Sequence, residues 1–183
     1  MKKFLPFLVL VVAVLLIGVA TYNLKHKQDI SNVSDNQEYG VHFVKTKLAL
    51  PEFKLHDLFD EQKEFSKKDL LGKYSIVNFF ASWCATCRAE HGVLLRLQSE
   101  NIANIYGVAW HDISANTKSY LEKSGNPFTK VAVDSSGVFN KLGGIDAIPE
   151  TWIVNPQGVV VARFRGNLQD FSIDEIKEII NKN

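Results

Sequence analysis

The stretch Tyr74-Ser75-Ile76-Val77-Asn78-Phe79-Phe80-Ala81-Ser82-Trp83-Cys84-Ala85-Thr86-Cys87-Arg88 decides how this chain is read. Tyr74 to Ala81 is a continuous, β-rich apolar run of the kind that fills the middle of a sheet. A helix is predicted to follow from about Ala85 to Glu100, with Leu94, Leu95 and Leu97 as its apolar residues. Cys84 therefore stands at a helix N-terminus and Cys87 one turn in. Sulfurs at this spacing can close a small disulfide. Unpaired amide N–H groups and the helix dipole favour a thiolate at the first cysteine while the second is shielded, so Cys84 is the expected attacker and Cys87 the resolver. Exchange of this kind passes through a mixed disulfide, and these are the only two cysteines in the chain.

The flanking sequence alternates strand and helix patterns. Phe53 to Leu58 reads as an edge strand, Phe59 to Gln62 as a turn into Lys63-Glu64-Phe65, and Ser66 as the cap of a short helical turn closed by Gly72. Beyond the cysteines come a strand at Ile105–Trp110 and a helix at Ser114–Ser124. Asn126-Pro127 breaks the pattern. Next come a strand-like segment at Phe128–Val133, a short helix near Val138–Leu142, and strands at Thr151–Val154 and Val159–Arg165 joined through Asn155-Pro156-Gln157-Gly158. A last helix spans Ile173–Ile180. This order predicts an α/β fold with a central mixed sheet, a parallel pair at Tyr74–Ala81 and Ile105–Trp110, and a terminal hairpin.

Composition bounds the rest. The chain has 183 residues, 46% hydrophobic and 22% charged, with 21 Lys+Arg against 20 Asp+Glu. That fits one globular domain plus an appendage and excludes a disordered chain or a nucleic-acid binder held by a basic face. The appendage is N-terminal. Met1-Lys2-Lys3 precedes an apolar run from Phe4 to Ala20 that fades by Leu24. As a helix, residues 4–24 would be about 31 Å long, matching a bilayer core of about 30 Å. Gly18-Val19-Ala20 also offers a cleavage site, but the length favours a retained signal-anchor over residues 1–24. Residues 25–40 are polar and unpatterned and read as a flexible linker, and the domain is expected over 41–183.

Other chemistry is open to the cysteine pair. A static disulfide and half of a zinc site are the plain alternatives, although no second cysteine pair exists to complete a zinc knuckle. His91, four residues after Cys87, opens a Cys84, Cys87, His91 copper site, that of a metallochaperone. A peroxidatic cysteine would want Thr or Ser three residues earlier, where Ala81 stands. Trp110-His111-Asp112 ends a strand on the side where parallel sheets bind ligands, but no serine nucleophile sequence accompanies it.

Val77 to His91, with Cys-x-Thr-Cys-Arg-Ala-Glu-His at its end, resembles the active-site segment of the CcmG/DsbE group, membrane-anchored thiol:disulfide interchange proteins of cytochrome c biogenesis. Gly125-Asn126-Pro127-Phe128, Gly143 to Thr151, Gly158 and the Arg163–Gly166 stretch are similar to the same group. The resemblance covers about residues 45 to 180 and implies a thioredoxin-like fold. It further implies a domain facing the periplasm from the bacterial inner membrane. Electrons would come from a membrane thiol carrier and pass to apocytochrome c Cys-x-x-Cys-His segments or a partner holding them. The Cys84–Cys87 disulfide would be the only redox group, with no other cofactor and no metal. A general extracytoplasmic thiol reductase of the ResA/TlpA sort is the neighbouring alternative.

The same resemblance assigns the surroundings. It implies that Pro149 is cis and opposite the cysteines, that Trp83 shields them, and that Thr86 belongs to the site. Glu90 and Glu150 are candidate carboxylates near the dithiol. Asn78 occupies a strand position where many thioredoxins carry a buried acid. Two positions depart from the group: Ala85 stands where Pro is common, and Ile148 where a small residue is common, so Ile148 is expected to crowd the groove beside Cys84.

Overall fold

The apolar run ending at the cysteines forms a strand, Ser75–Phe80, buried at every position. In the computed structural model the described residues are 41–182, and the expected anchor and linker at 1–40 lie outside them. Among the described residues no helix is long and apolar enough to cross a membrane. In chain order the elements are β1 (His42–Ala49), β2 (Lys54–His56), β3 (Glu64–Ser66), a 3-10 turn (Lys67–Leu70), β4 (Ser75–Phe80), α1 (Ala85–Glu100), β5 (Asn104–Trp110), α2 (Ser114–Ser124), β6 (Lys130–Asp134), α3 (Val138–Gly143), β7 (Glu150–Val154), β8 (Val159–Arg165) and α4 (Asp170–Asn181).

The main sheet has the order β1-β8-β7-β4-β5-β6, and β2 and β3 form a separate pair. β4 runs parallel to β5, with Asn78 opposite Gly107, and antiparallel to β7, with Asn78 opposite Thr151. Alternation along β4 and β7 sorts side chains between two cores. Ile76, Phe80 and Ile153 join Val93, Leu94 and Leu97 of α1 and Ile176 of α4 on one face. Val77, Phe79, Trp152 and Val154 join Phe139 of α3 and Phe65 of β3 on the other. This is the central mixed sheet that the strand and helix order predicts, with helices on its faces, and it has the thioredoxin-like form that the resemblance implies.

Differences from the sequence reading have local causes. β1 carries no clean alternation because a bulge between Lys45 and Leu48 inserts an extra residue against β8. α4 starts at Asp170 rather than Ile173, since Gln169 and Ser172 cap it reciprocally in place of the usual Ser/Thr and Glu. The Phe53–Leu58 segment keeps only three residues in strand, paired with β3 rather than added to the main sheet. The terminal hairpin closes as expected, with Gly158 at φ +75° and its N–H donating to the Asn155 carbonyl at 2.9 Å.

One close approach braces the loop that leads to Pro149. A Cβ on Gly143, at the end of α3, would lie 1.9 Å from Cη2 of Trp152. Trp152 cannot readily retreat, because its Nε1 donates to Glu150 Oε1 at 2.7 Å and Arg163 lies over its ring. Gly143→Ala is therefore expected to destabilise the fold by about 3 kcal/mol, read from the urea midpoint; an unchanged midpoint would mean that α3 does not seat on Trp152.

Candidate redox site

The site begins where β4 ends. Cys84 is the N-cap of α1, with φ −81° and ψ 115°, and its Sγ accepts the Cys87 N–H at 3.1 Å. Thr86 Oγ1 lies 3.3 Å from the same sulfur. Cys84 and Cys87 are joined as a disulfide with their Cα atoms 5.3 Å apart. Cys84 is 6% exposed and Cys87 2%. Both are buried, and what sets Cys84 apart as the attacker is that its sulfur receives the helix donors. Ala85 occupies the first helical position, where a proline would be tolerated but is not required.

Glu90 is the buried acid of the site. It lies one turn beyond Cys87, on the same side of α1, and is fully buried. Its Oε1 accepts from Asn78 Nδ2 at 2.8 Å and its Oε2 from the Leu168 N–H at 2.7 Å, while Asn78 Nδ2 also donates to Thr151 Oγ1 at 2.9 Å. Burial pushes the Glu90 carboxyl up to about 8, against the opposing pull of those two donors. Asn78 Oδ1 is buried with no partner. Turning that amide over would aim Oδ1 at a protonated Glu90, so the Asn78 position serves either protonation state of the acid.

Glu150 goes elsewhere. In β7 it shares the parity of Trp152, so it faces the sheet side opposite α1, pairing with Arg163 and, at 3.5 Å, with Arg165. The structure thus corrects the expectation that Glu150 lies near the dithiol: the strand's period of two carries it to the other face. His91 is likewise turned away. It is buried, its Nε2 donates to the Gly125 carbonyl at 3.0 Å, and its ring meets Tyr120 edge-on at 5.1 Å. That bond ties α1 to the Gly-Asn-Pro segment and occupies one of the two ring nitrogens of His91. Among the described residues, no group of three or more His, Cys, Asp or Glu side chains is gathered for a metal.

The Ile148–Pro149 peptide bond is cis and Pro149 is buried, its carbonyl accepting the Gly166 N–H at 2.9 Å. Ile148 is half-buried and packs against both cores. Trp83 is 56% exposed and its Nε1 donates to the His111 carbonyl at 3.3 Å, making it a rim residue as much as a shield. Sequence reasoning did not single out Ser82 or Arg88, nor the buried Asp112, for this site. The one signal was the position of Asp112 directly after a strand that runs parallel to β4.

Because Glu90 titrates higher in the folded chain than its ordinary 4.5, the folded state holds the extra proton, so its stabilisation is complete below about pH 4.5 and is lost as pH rises through about 8. The oxidised protein is therefore expected to lose stability between pH 5 and 8 relative to Glu90→Gln. Urea unfolding of both proteins across that window checks it, and parallel curves would assign the titration to another group.

The Redoxin family model matches residues 45–180. The chain is 36% identical over 113 residues to the thiol:disulfide interchange protein DsbE of Allochromatium vinosum, covering 60% of this chain and 61% of that one. It is 33% identical over 121 residues to the protein of the same name from Escherichia coli, covering 65% and 64%. The chain thus spans about three fifths of the length of these relatives. In fold it is similar to a secreted thiol-disulfide isomerase from Corynebacterium glutamicum, with a TM-score of 0.69 and 19% identity over 77% of this chain and 92% of that one.

Proposed function

The chain belongs to the Redoxin family, and from that premise we propose that it is a thiol:disulfide oxidoreductase that reduces disulfides of apocytochrome c, or of a partner holding it, outside the cytoplasm. The observation that carries this reading is the cysteine pair itself, with Cys84 Sγ at the mouth of α1 under the Cys87 N–H and Cys87 buried behind it. The relatives' names, thiol:disulfide interchange proteins, support the reaction. The Cys-x-Thr-Cys-Arg-Ala-Glu-His segment and Pro149-Glu150-Thr151 support the cytochrome c assignment through their likeness to the CcmG/DsbE group. Residues 4–24 support an inner-membrane anchor with the domain in the periplasm.

The reaction balances as two exchanges. The Cys84 thiolate attacks one sulfur of the substrate disulfide, forming a mixed disulfide and releasing the other substrate sulfur as a thiolate. Cys87 then gives up its proton and attacks Cys84 Sγ, releasing the second substrate thiolate and closing the Cys84–Cys87 disulfide. The substrate gains two electrons and this chain loses two. Glu90, one turn from Cys87, is placed to take the Cys87 proton when its carboxyl, pushed up to about 8 by burial, is in the ionised form. A membrane thiol carrier then reduces the Cys84–Cys87 disulfide by the reverse exchange.

A strain lacking this chain is expected to make little holocytochrome c, with recovery on adding dithiothreitol. In the complemented strain, Cys84→Ser fails to restore it and Cys87→Ser accumulates a mixed disulfide with a cytochrome c maturation protein on non-reducing gels. Trapping of many unrelated exported proteins, with normal cytochrome c, would instead make it a general thiol reductase.

A further inference from the structure

Asp112 is a buried carboxylate, 7% exposed, in the loop between β5 and α2, and the exchange chemistry above makes no use of it. Its two oxygens accept four hydrogen bonds. Oδ2 receives the Ser82 N–H at 2.6 Å and the Thr117 hydroxyl at 2.9 Å, while Oδ1 receives the Ser82 hydroxyl at 3.0 Å and the Ile113 N–H at 2.7 Å. The third polar group of Ser82, its carbonyl, accepts from Arg88 Nη1 at 2.8 Å. Every polar atom of the residue two before Cys84 is thereby fixed. The neighbouring His111, with φ +47°, turns its carbonyl to Trp83 Nε1. A non-glycine residue in that region is held there by its surroundings.

We propose that Asp112 is a positioning residue for exchange with protein disulfides, holding the Ser82–Trp83 rim against the His111–Ile113 loop so that a bulky partner can be brought onto Cys84. This rests on the thiol-exchange reading and adds a residue to it. The division of labour follows from where each group sits. The donors to Cys84 Sγ, the Cys87 N–H and the Thr86 hydroxyl, belong to α1 and do not depend on Asp112. The rim does depend on it: Trp83 is 56% and Ile113 65% exposed, and a macromolecule must cross these side chains to reach a sulfur in a residue that is 6% exposed. A small disulfide need not.

The test compares second-order rate constants of the purified, reduced protein with insulin and with glutathione disulfide. Asp112→Asn keeps the size of the side chain but presents an NH2 group to two of the four donors. It is expected to slow insulin reduction about tenfold, which is about 1.4 kcal/mol and the size of one hydrogen bond to a charged group. The rate with glutathione disulfide should stay within about twofold. Thr117→Val removes a donor on the α2 side only, so it should lower stability and leave the ratio of the two rates unchanged. If Asp112→Asn does not fold, Ser82→Ala reads the same ratio, with an expected shift of about threefold from the one lost bond. Equal slowing with both disulfides, an unchanged ratio in the Ser82 and Asp112 variants, or the same ratio shift in Thr117→Val would each overturn the proposal. A wild-type protein that reduces both disulfides but supports no cytochrome c maturation would overturn the cellular reading and leave the role of Asp112 intact.

Discussion

The constraint on which the rest of this molecule depends is the burial of β4 on both faces and both edges. Its six residues are all buried, with β5 parallel on one side and β7 antiparallel on the other. A parallel neighbour ends, and an antiparallel neighbour begins, at the same end of the sheet. The end of β4, which runs into Ser82-Trp83-Cys84, is therefore brought beside the end of β5, which runs into His111-Asp112-Ile113. It is also brought beside the start of β7, which follows Ile148-Pro149. Segments separated by tens of residues in sequence become one site because hydrogen-bond pairing leaves them no other place.

The same strand sorts the chemistry by parity. Asn78 faces α1 and meets Glu90 there, while Phe79 faces away with Trp152 and Phe139. β7 repeats the division, with Thr151 on the Asn78 side and Glu150 on the other, neutralised by arginines of β8. Of two glutamates that sit equally near the cysteine and proline motifs in sequence, one is a buried acid behind the dithiol and the other a structural ion pair. Glu90 is placed by the turn of α1 and Glu150 by the parity of β7. A buried carboxylate without a countercharge favours its proton, whereas one beside guanidinium groups is held by them.

The helix begun by Cys84 links reactivity to stability. Its N-terminal donors serve the sulfur, and its inner face contributes Val93, Leu94 and Leu97 to the core. His91 uses that face to reach the Gly125 carbonyl, so the loop after α2 is fixed to the helix that carries the cysteines by a side-chain hydrogen bond rather than by apolar contact alone. Arg88 and Asp112 approach Ser82 from two elements, one charged group on its carbonyl and one on its amide and hydroxyl. The segment carrying Cys84 is thus restrained from its own helix and from the neighbouring loop.

What the sequence determined by itself is whatever periodicity and short spacing encode. The buried strand before Cys84, the helix after it, the hairpin at Asn155–Gly158 and the Cys84–Cys87 pair are local patterns, and each forms as its residues predict. Glu90 on the side of Cys87 was legible as well, because three residues is nearly one helical turn. Tertiary structure alone decided what depends on pairing across the sheet. It placed Glu150 with Arg163 and Arg165, took His91 to Gly125, and closed Asp112 over Ser82, thirty residues away. β1 was hidden for a related reason, its bulge being meaningful only against β8. A side chain's type fixes what bonds it can make, but in a parallel and antiparallel sheet the register of the neighbouring strands fixes which partner is within reach.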